Sequence, residues 1–222
     1  MKIYWKHLHH PIINEGYLIS NIGMIRNEHC CEDESYGATY HASNGYDFAK
    51  MVVKESERYN DNPIRLFPID EIVGYAFIPI PEDLIDKPKI INHINGDTRD
   101  ISLDNLEWIE DVEEWRICTY PGVQPDAYEV SSWGGIRDNI SKENLPIRFN
   151  TFGYAHVHLH KSNMTSHMIH RLVNWEFCIH DTQFIEKQVN HIDGIKSHNH
   201  WKILNLLQLQ KIPDMRLLRD WY

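Results

Sequence analysis

The sequence predicts an α+β fold built twice along the chain, with a small antiparallel β-sheet ahead of a strand, polar turn, strand and helix in each half. Three observations predict it. Four sequence blocks recur in the same order, one segment alternates apolar and polar residues as a half-buried strand does, and another carries apolar residues at helical spacing. The predicted domains are residues 1–111 and 112–222.

The internal repeat defines these halves. Four ordered blocks recur at shifts of 98 to 111 residues, which predicts a tandem duplication. The matched pairs are Tyr17–Arg26 with Tyr128–Arg137, Ile69–Phe77 with Ile169–Phe177, Asn92–Gly96 with Asn190–Gly194, and Asn105-Leu106 with Asn205-Leu206.

The second half shows the predicted elements most clearly. Tyr128–Ser131, followed by two glycines, predicts a short strand and a turn, and Gly153–His160 predicts a half-buried strand. Met168–Phe177 predicts a short amphipathic helix. A polar turn follows at Asn190–Gly194, and Asn205-Leu206 begins another extended piece.

A helix is expected to close each copy. Pro213 suits the first turn of a helix, because its missing N–H costs nothing there. In the first copy, Asp111 and Glu114 have the spacing of a capping box and predict the start of the equivalent helix.

Composition excludes several classes of protein. With 222 residues, 42% hydrophobic and 24% charged, the chain is neither disordered nor fibrous, and its apolar stretches are too short to cross a bilayer. No secretory signal is visible, and the four cysteines lack a C-x-x-C spacing, so neither a zinc knuckle nor a disulfide framework is predicted. The expected location is cytoplasmic.

The net charge of −10 is distributed unevenly. Residues 1–111 carry 10 basic and 20 acidic side chains, whereas residues 112–222 carry 12 of each. Contacts with a phosphate backbone are therefore expected mainly in the second half. Acidic runs in the first half are more simply explained as solubilising surface loops.

A strand, turn, strand and helix unit with a histidine at the end of one strand suits phosphodiester hydrolysis. The histidine takes a proton from water, while oxygen ligands from the turn and the helix hold one divalent cation against the phosphate. Oxygen ligands and few cysteines favour Mg²⁺ or Mn²⁺ over zinc.

The segments VNHIDG (189–194) and INHINGD (91–97), each followed by Asn-Leu, resemble the HNH or His-Me finger nucleases of phage and intron origin. The segments that precede them resemble the nuclease-associated modular domain and the HRLV lead-in of homing endonucleases, and NLEW (105–108) adds to the likeness. The resemblance implies two tandem ββα-metal units, a phage gene expressed in a bacterial host, and one cation for each active unit.

The resemblance also implies residue roles, in pairs from the two copies. They are His191 and His93 as general base, Asn190 and Asn92 as first metal ligand, Asn205 and Asn105 as the structural asparagine, and Asp214 and Glu114 as the last motif position. The family usually has Asn or His at this last position, yet both carboxylates offer oxygen to a hard cation. The second copy also has two extra residues between Asn-His and Asn-Leu, an insertion expected around His200-Trp201.

Purely structural roles stay open for several of these residues. Glu114 is equally well explained as a helix cap, and Asp214 as a complement to a helix dipole. His156, His158 and His160 share one strand face, which suits either a metal site or, as we favour, a solvated surface.

Two functions from different classes follow. In the first, the chain is a metal-dependent endonuclease whose halves act on double-stranded DNA as a monomeric pseudo-dimer. In the second, it is a catalytically decayed module that binds nucleic acid or protein. An interaction protein without a nucleic-acid role is supported only by the acidic first half. The expected nucleic-acid contacts are Arg137, Arg148, Lys161, His170 and Arg171.

Overall fold

The computed structural model describes residues 2–28, 39–41, 46–160, 164–178 and 187–207. Its internal contacts divide the chain into two compact units. Unit 1 comprises Met1–Trp115 with Ile192–His198, and unit 2 comprises Arg116–His191 with Asn199–Tyr222. The domain limits at 111 and 112 and the tandem duplication remain predictions.

In its described residues, unit 1 consists of small antiparallel sheets and one α-helix, α1. The first two sheets have three strands each, in sequence order, and a two-stranded hairpin follows the helix. The elements are β1 (Trp5–His7), β2 (Tyr17–Ser20), β3 (Ile25–Asn27), β4 (Thr39–His41), β5 (Asp47–Val52), β6 (Ile64–Pro68), α1 (Ile69–Phe77), β7 (Lys89–His93) and β8 (Leu106–Glu110).

The same series of elements follows in the second half of the chain. Two three-stranded antiparallel sheets precede helix α2, and a hairpin follows it. The elements are β9 (Trp115–Ile117), β10 (Tyr128–Ser131), β11 (Ile136–Asp138), β12 (Arg148–Phe149), β13 (Ala155–His160), β14 (Met164–Met168), α2 (Ile169–Phe177), β15 (Gln188–His191) and β16 (Leu204–Leu207).

Each unit has its own hydrophobic core beneath its helix. In unit 1, Ile69, Ile72 and Val73 of α1 are buried with residues of the sheets and of the β7–β8 hairpin. In unit 2, Ile169, Leu172 and Val173 of α2 are buried with their counterparts. The apolar spacing of each helix thus explains why it covers a hairpin with one face.

The periodic segments were predicted correctly. Alternation over 153–160 is realised in β13, where Ala155, Val157 and Leu159 are buried and the histidines between them face outward. The helix predicted over 168–177 is α2, and the fold is α+β.

The helix predicted to start at Asp111 is wrong. Residues 111–114 have no regular secondary structure, and the chain enters β9 at Trp115. Only four residues separate β8 from β9, too few for a helix of two turns. The helix predicted at Pro213 lies outside the described residues.

A membrane span is not found. Across the described residues, none of the helices has the length and apolar character needed to cross a bilayer.

Candidate functional site

The histidine of each motif is the last residue of the first hairpin strand. Side chains alternate between the two faces of a strand, so His93 and His191 point inward, where they are buried, while the asparagine before each one points to the outer face. The asparagine and the histidine of a motif therefore diverge.

In unit 1 both ring nitrogens of His93 have partners. Nδ1 lies 3.1 Å from the backbone oxygen of Asp100, and Nε2 lies 3.2 Å from Oδ2 of Asp70 in helix α1. Both ring nitrogens are therefore engaged within the protein, which leaves neither of them available to contact an attacking water.

Asn105 holds the loop that faces His93. Its Oδ1 accepts a hydrogen bond from the backbone N–H of Asn95 at 2.9 Å, and its Nδ2 donates to the backbone oxygen of Asp100 at 2.7 Å. Hydrogen bonds from Ser102 lower the pKa of the Asp100 side chain, so this carboxylate stays ionised and orders the same loop.

The proposed metal ligands of unit 1 do not form the expected site of a hairpin and a following helix. Nδ2 of Asn92 donates to Oε1 of Glu107 at 2.8 Å on the outer face of the hairpin. Asp111 lies beside Pro88, five residues before His93, which is about 16 Å along an extended strand. Glu114 follows beyond that end and is not in a helix, so the ββα arrangement expected there is absent from this described stretch.

In unit 2 the counterpart of Asp70 is His170, and its ring packs against His191. The ring centroids are 4.9 Å apart, and Tyr154 lies 5.3 Å from His170 and 5.8 Å from His191. Nε2 of His191 is also 3.4 Å from Oδ1 of the buried Asn199. The resulting cluster consists of two imidazoles, a phenol and an amide.

His170 is uncharged in this cluster. Burial, reinforced by the neighbouring His191 and Arg171, lowers its pKa to about 3. Its buried Nδ1 has no hydrogen-bond partner among the described residues. Where unit 1 presents a carboxylate to the motif histidine, unit 2 therefore presents a neutral ring.

The insertion predicted around His200-Trp201 is wrong. His93 pairs with Leu106 and His191 pairs with Leu204, so the loops of the two hairpins have equal length. A short 3₁₀ turn precedes the second strand at the same spacing in both, Leu103–Asn105 and Trp201–Ile203. Ile203, and not Asn205, takes the position of Asn105.

Asn205 instead lies within β16, directly opposite Asn190. Its Oδ1 is buried and accepts no hydrogen bond from the described part of the chain. An orphaned amide oxygen beside a second amide fits a hard cation such as Mg²⁺ or Mn²⁺. The described residues contain no group of three His, Cys, Asp or Glu side chains that holds a metal, and Asp214 lies outside them.

Two of the five expected nucleic-acid contacts are engaged within the protein. Arg171 donates from Nε to the hydroxyl of Tyr120 at 3.1 Å and from Nη1 to the backbone oxygen of Lys187 at 3.0 Å. Arg137 forms an ion pair with Glu129 at 2.5 Å. His170 is buried, and Lys161 lies outside the described residues.

Arg148 is exposed on β12, opposite His156 on β13. His158 and His160 extend this face, and the His156 and His158 rings are 5.6 Å apart. No group of three metal-binding side chains forms in this part of the described chain. The face thus joins one permanent positive charge to a row of histidines.

Asp70, Tyr154 and Asn199 were not among the predicted site residues. The repeat aligns Asp70 with His170, and this alignment could have identified Asp70. Its contact with His93, 23 positions away in the sequence, forms only because α1 packs on the hairpin.

Comparison with known proteins gives one partial likeness. No protein-family model matches the chain, and no curated protein matches it. A solved structure described as DNA binding and cleavage by the HNH homing endonuclease I-HmuI matches 45% of this chain and 54% of that chain, with 28% sequence identity and a TM-score of 0.39. The match spans about half of each chain, and neither the fold nor the activity of this protein follows from it.

Proposed function

We propose that the chain is a metal-dependent endonuclease that hydrolyses phosphodiester bonds of double-stranded DNA, with His191 of unit 2 as its general base. In this proposal unit 1 is catalytically silent.

The observation that carries the proposal is the exchange of Asp70 for His170 beside the motif histidine. In unit 1 the Asp70 carboxylate and the backbone oxygen of Asp100 engage both ring nitrogens of His93, so neither nitrogen is free to contact an attacking water. In unit 2 the same position holds a neutral imidazole in place of the carboxylate. A general base needs a ring nitrogen that can reach the proton it removes.

The mechanism divides the work among the residues of unit 2. His191 accepts the proton of the attacking water, and Asn199 orients its ring through the contact at Nε2. Tyr154 and His170 pack around the ring and exclude bulk water. When bound, Mg²⁺ or Mn²⁺ would supply polarisation of the phosphoryl oxygen and stabilisation of the leaving 3′ oxygen. Asn190, which adjoins His191 at the end of β15, would be one of the residues that hold this cation.

Cleavage of supercoiled plasmid with Mg²⁺ or Mn²⁺ tests this assignment. His191→Ala should reduce the rate at least about 100-fold, because a lost general base typically costs that much, whereas His93→Ala should retain cleavage. His93→Ala is the matched control, since it removes the same side chain at the same strand end. Loss of activity in His93→Ala alone, with both variants folded, would reverse the assignment of the units.

A second function is favoured by a specific observation. His191 is only 6% exposed and points away from the face that carries Asn190. A module that binds nucleic acid without cutting it does not need His191 and Asn190 to point to the same place. This second function would be established if the wild-type protein binds duplex DNA with an affinity that falls steeply as salt rises, and if it does not cut that DNA whichever divalent metal is added.

A further inference from the structure

The outer face of the β15–β16 hairpin carries two asparagines in register. Asn190 and Asn205 are directly opposite, whereas Val189, His191, Leu204 and Leu206 are buried on the other face. Opposite residues of an antiparallel pair have Cβ atoms about 5 Å apart, within reach of one shared ligand.

The amide of Asn205 lacks a partner that its position requires. Oδ1 is shielded from solvent and receives no hydrogen bond from any residue that the structure describes. A buried acceptor left in this state costs about 1–3 kcal/mol. A ligand that contacts this oxygen would remove the penalty, and the ligand must be a hydrogen-bond donor or a cation.

Unit 1 shows what satisfies the same pair of positions. There Asn92 faces Glu107, and Nδ2 of the asparagine donates to the carboxylate at 2.8 Å. An oxygen-bearing side chain thus occupies the second position in both hairpins, but only in unit 1 does the neighbouring side chain satisfy it. Asn205 is left with an oxygen that receives no hydrogen bond from the described residues.

We infer that Asn205 is an oxygen ligand, together with Asn190, for the divalent cation of unit 2. The inference rests on the proposed function and assigns to that site a residue that sequence resemblance placed elsewhere. Amide oxygens suit Mg²⁺ and Mn²⁺ and are poor ligands for softer metals. Two amides carry no net charge, so the cation binds firmly only when a DNA phosphate joins its ligands.

Binding of Mn²⁺, followed by the loss of the free-ion signal in electron paramagnetic resonance, tests the inference without any cleavage. With duplex DNA containing non-hydrolysable phosphorothioate linkages, Asn205→Leu should weaken Mn²⁺ binding at least about tenfold relative to wild type. Without DNA, Asn205→Asp should bind Mn²⁺ at least about tenfold more tightly than wild type, because it supplies the missing negative charge. Glu107→Leu, at the matched position of unit 1, should leave both affinities unchanged.

Thermal unfolding of each variant shows whether it is folded. If Asn205→Leu does not fold, the comparison of Asn205→Asp with wild type still tests the inference. Equal Mn²⁺ affinities for wild type, Asn205→Leu and Asn205→Asp would overturn the inference, as would a loss confined to Glu107→Leu. Binding that depends on Asn205 in a protein that never cuts DNA would uphold the ligand and refute the nuclease. Cleavage that requires His191 but ignores Asn205 would do the reverse.

Discussion

Replacing Asn174 with alanine should stabilise the protein, because Asn174 is a buried amide without partners among the described residues. Its side chain is 0% exposed in α2, and neither Nδ2 nor Oδ1 has a hydrogen-bond partner there. Each such group costs about 1–3 kcal/mol. A vacated volume of some tens of Å³ costs about 0.5–1 kcal/mol, which the higher helix propensity of alanine offsets by about 0.6 kcal/mol. We expect the free energy of unfolding to rise by at least about 1 kcal/mol.

The matched position of unit 1 supplies the control. Gly74 occupies it, and an added Cβ would lie 2.6 Å from Cδ1 of Ile91 and 2.9 Å from Cζ2 of Trp108. Val189 and Leu206, both smaller, take the places of these two residues in unit 2 and leave room for an amide. Gly74→Asn should therefore destabilise by about 3 kcal/mol, through overpacking and a newly buried amide.

Urea unfolding followed by tryptophan fluorescence measures both changes. A gain of about 1 kcal/mol corresponds to a rise in Tm of about 4–8 °C for a unit of about 100 residues. If Asn174→Ala unfolds at the same or a lower urea concentration than wild type, the amide has a partner that stabilises it, and the reasoning fails.

Three further predictions concern titratable groups. His170→Asp should lower plasmid cleavage at least about 100-fold, because the new carboxylate would engage a ring nitrogen of His191 as Asp70 engages Nε2 of His93; unchanged cleavage would contradict the role given to this position. The pKa of His170 is lowered to about 3. As pH falls from about 6.5 to about 3, residue 170 therefore binds a proton in the unfolded state but not in the folded state. The free energy of unfolding then falls by up to about 1.4 kcal/mol per pH unit. Urea unfolding of His170→Gln between pH 4 and pH 7 should show a shallower slope, and an identical slope would refute the shift. Burial raises the pKa of Cys118 and Cys178 to about 12. A variant whose other two cysteines are replaced by serine should therefore not react with a disulfide reagent at pH 8 while it is folded. Rapid labelling without denaturant would count against this.

Periodicity predicted the elements that a single buried face determines. Strand β13 and helix α2 were found because their apolar residues recur at two and at 3.6 positions, and packing against one core requires that spacing. The position of the motif histidine at a strand end followed from the polar turn after it.

Local signals failed where they were too short to outweigh the neighbouring chain. The capping-box spacing of Asp111 and Glu114 describes two side chains, but β9 begins directly afterwards and leaves no length for a helix. The Asn-Leu match aligned Asn205 with Asn105, whereas an ungapped comparison of the two loops aligns Ile203 with Asn105. An identical dipeptide was a weaker guide than equal loop length.

The contacts that distinguish the two units could not be read from the chain. Asp70 meets His93, and Tyr154 meets His191, only through the packing of a helix and a strand that are distant in sequence. Such contacts depend on tertiary geometry, which neither residue type nor spacing specifies.

The short link between β8 and β9 has a consequence for how unit 1 can change. Side-chain exchanges at Asp70 or Glu107 alter its polar contacts, but they cannot lengthen the four residues available after Glu110. Additional residues would have to be inserted between β8 and β9 before a helix could follow this hairpin. A helix after the first hairpin would thus require a longer backbone and not only different side chains.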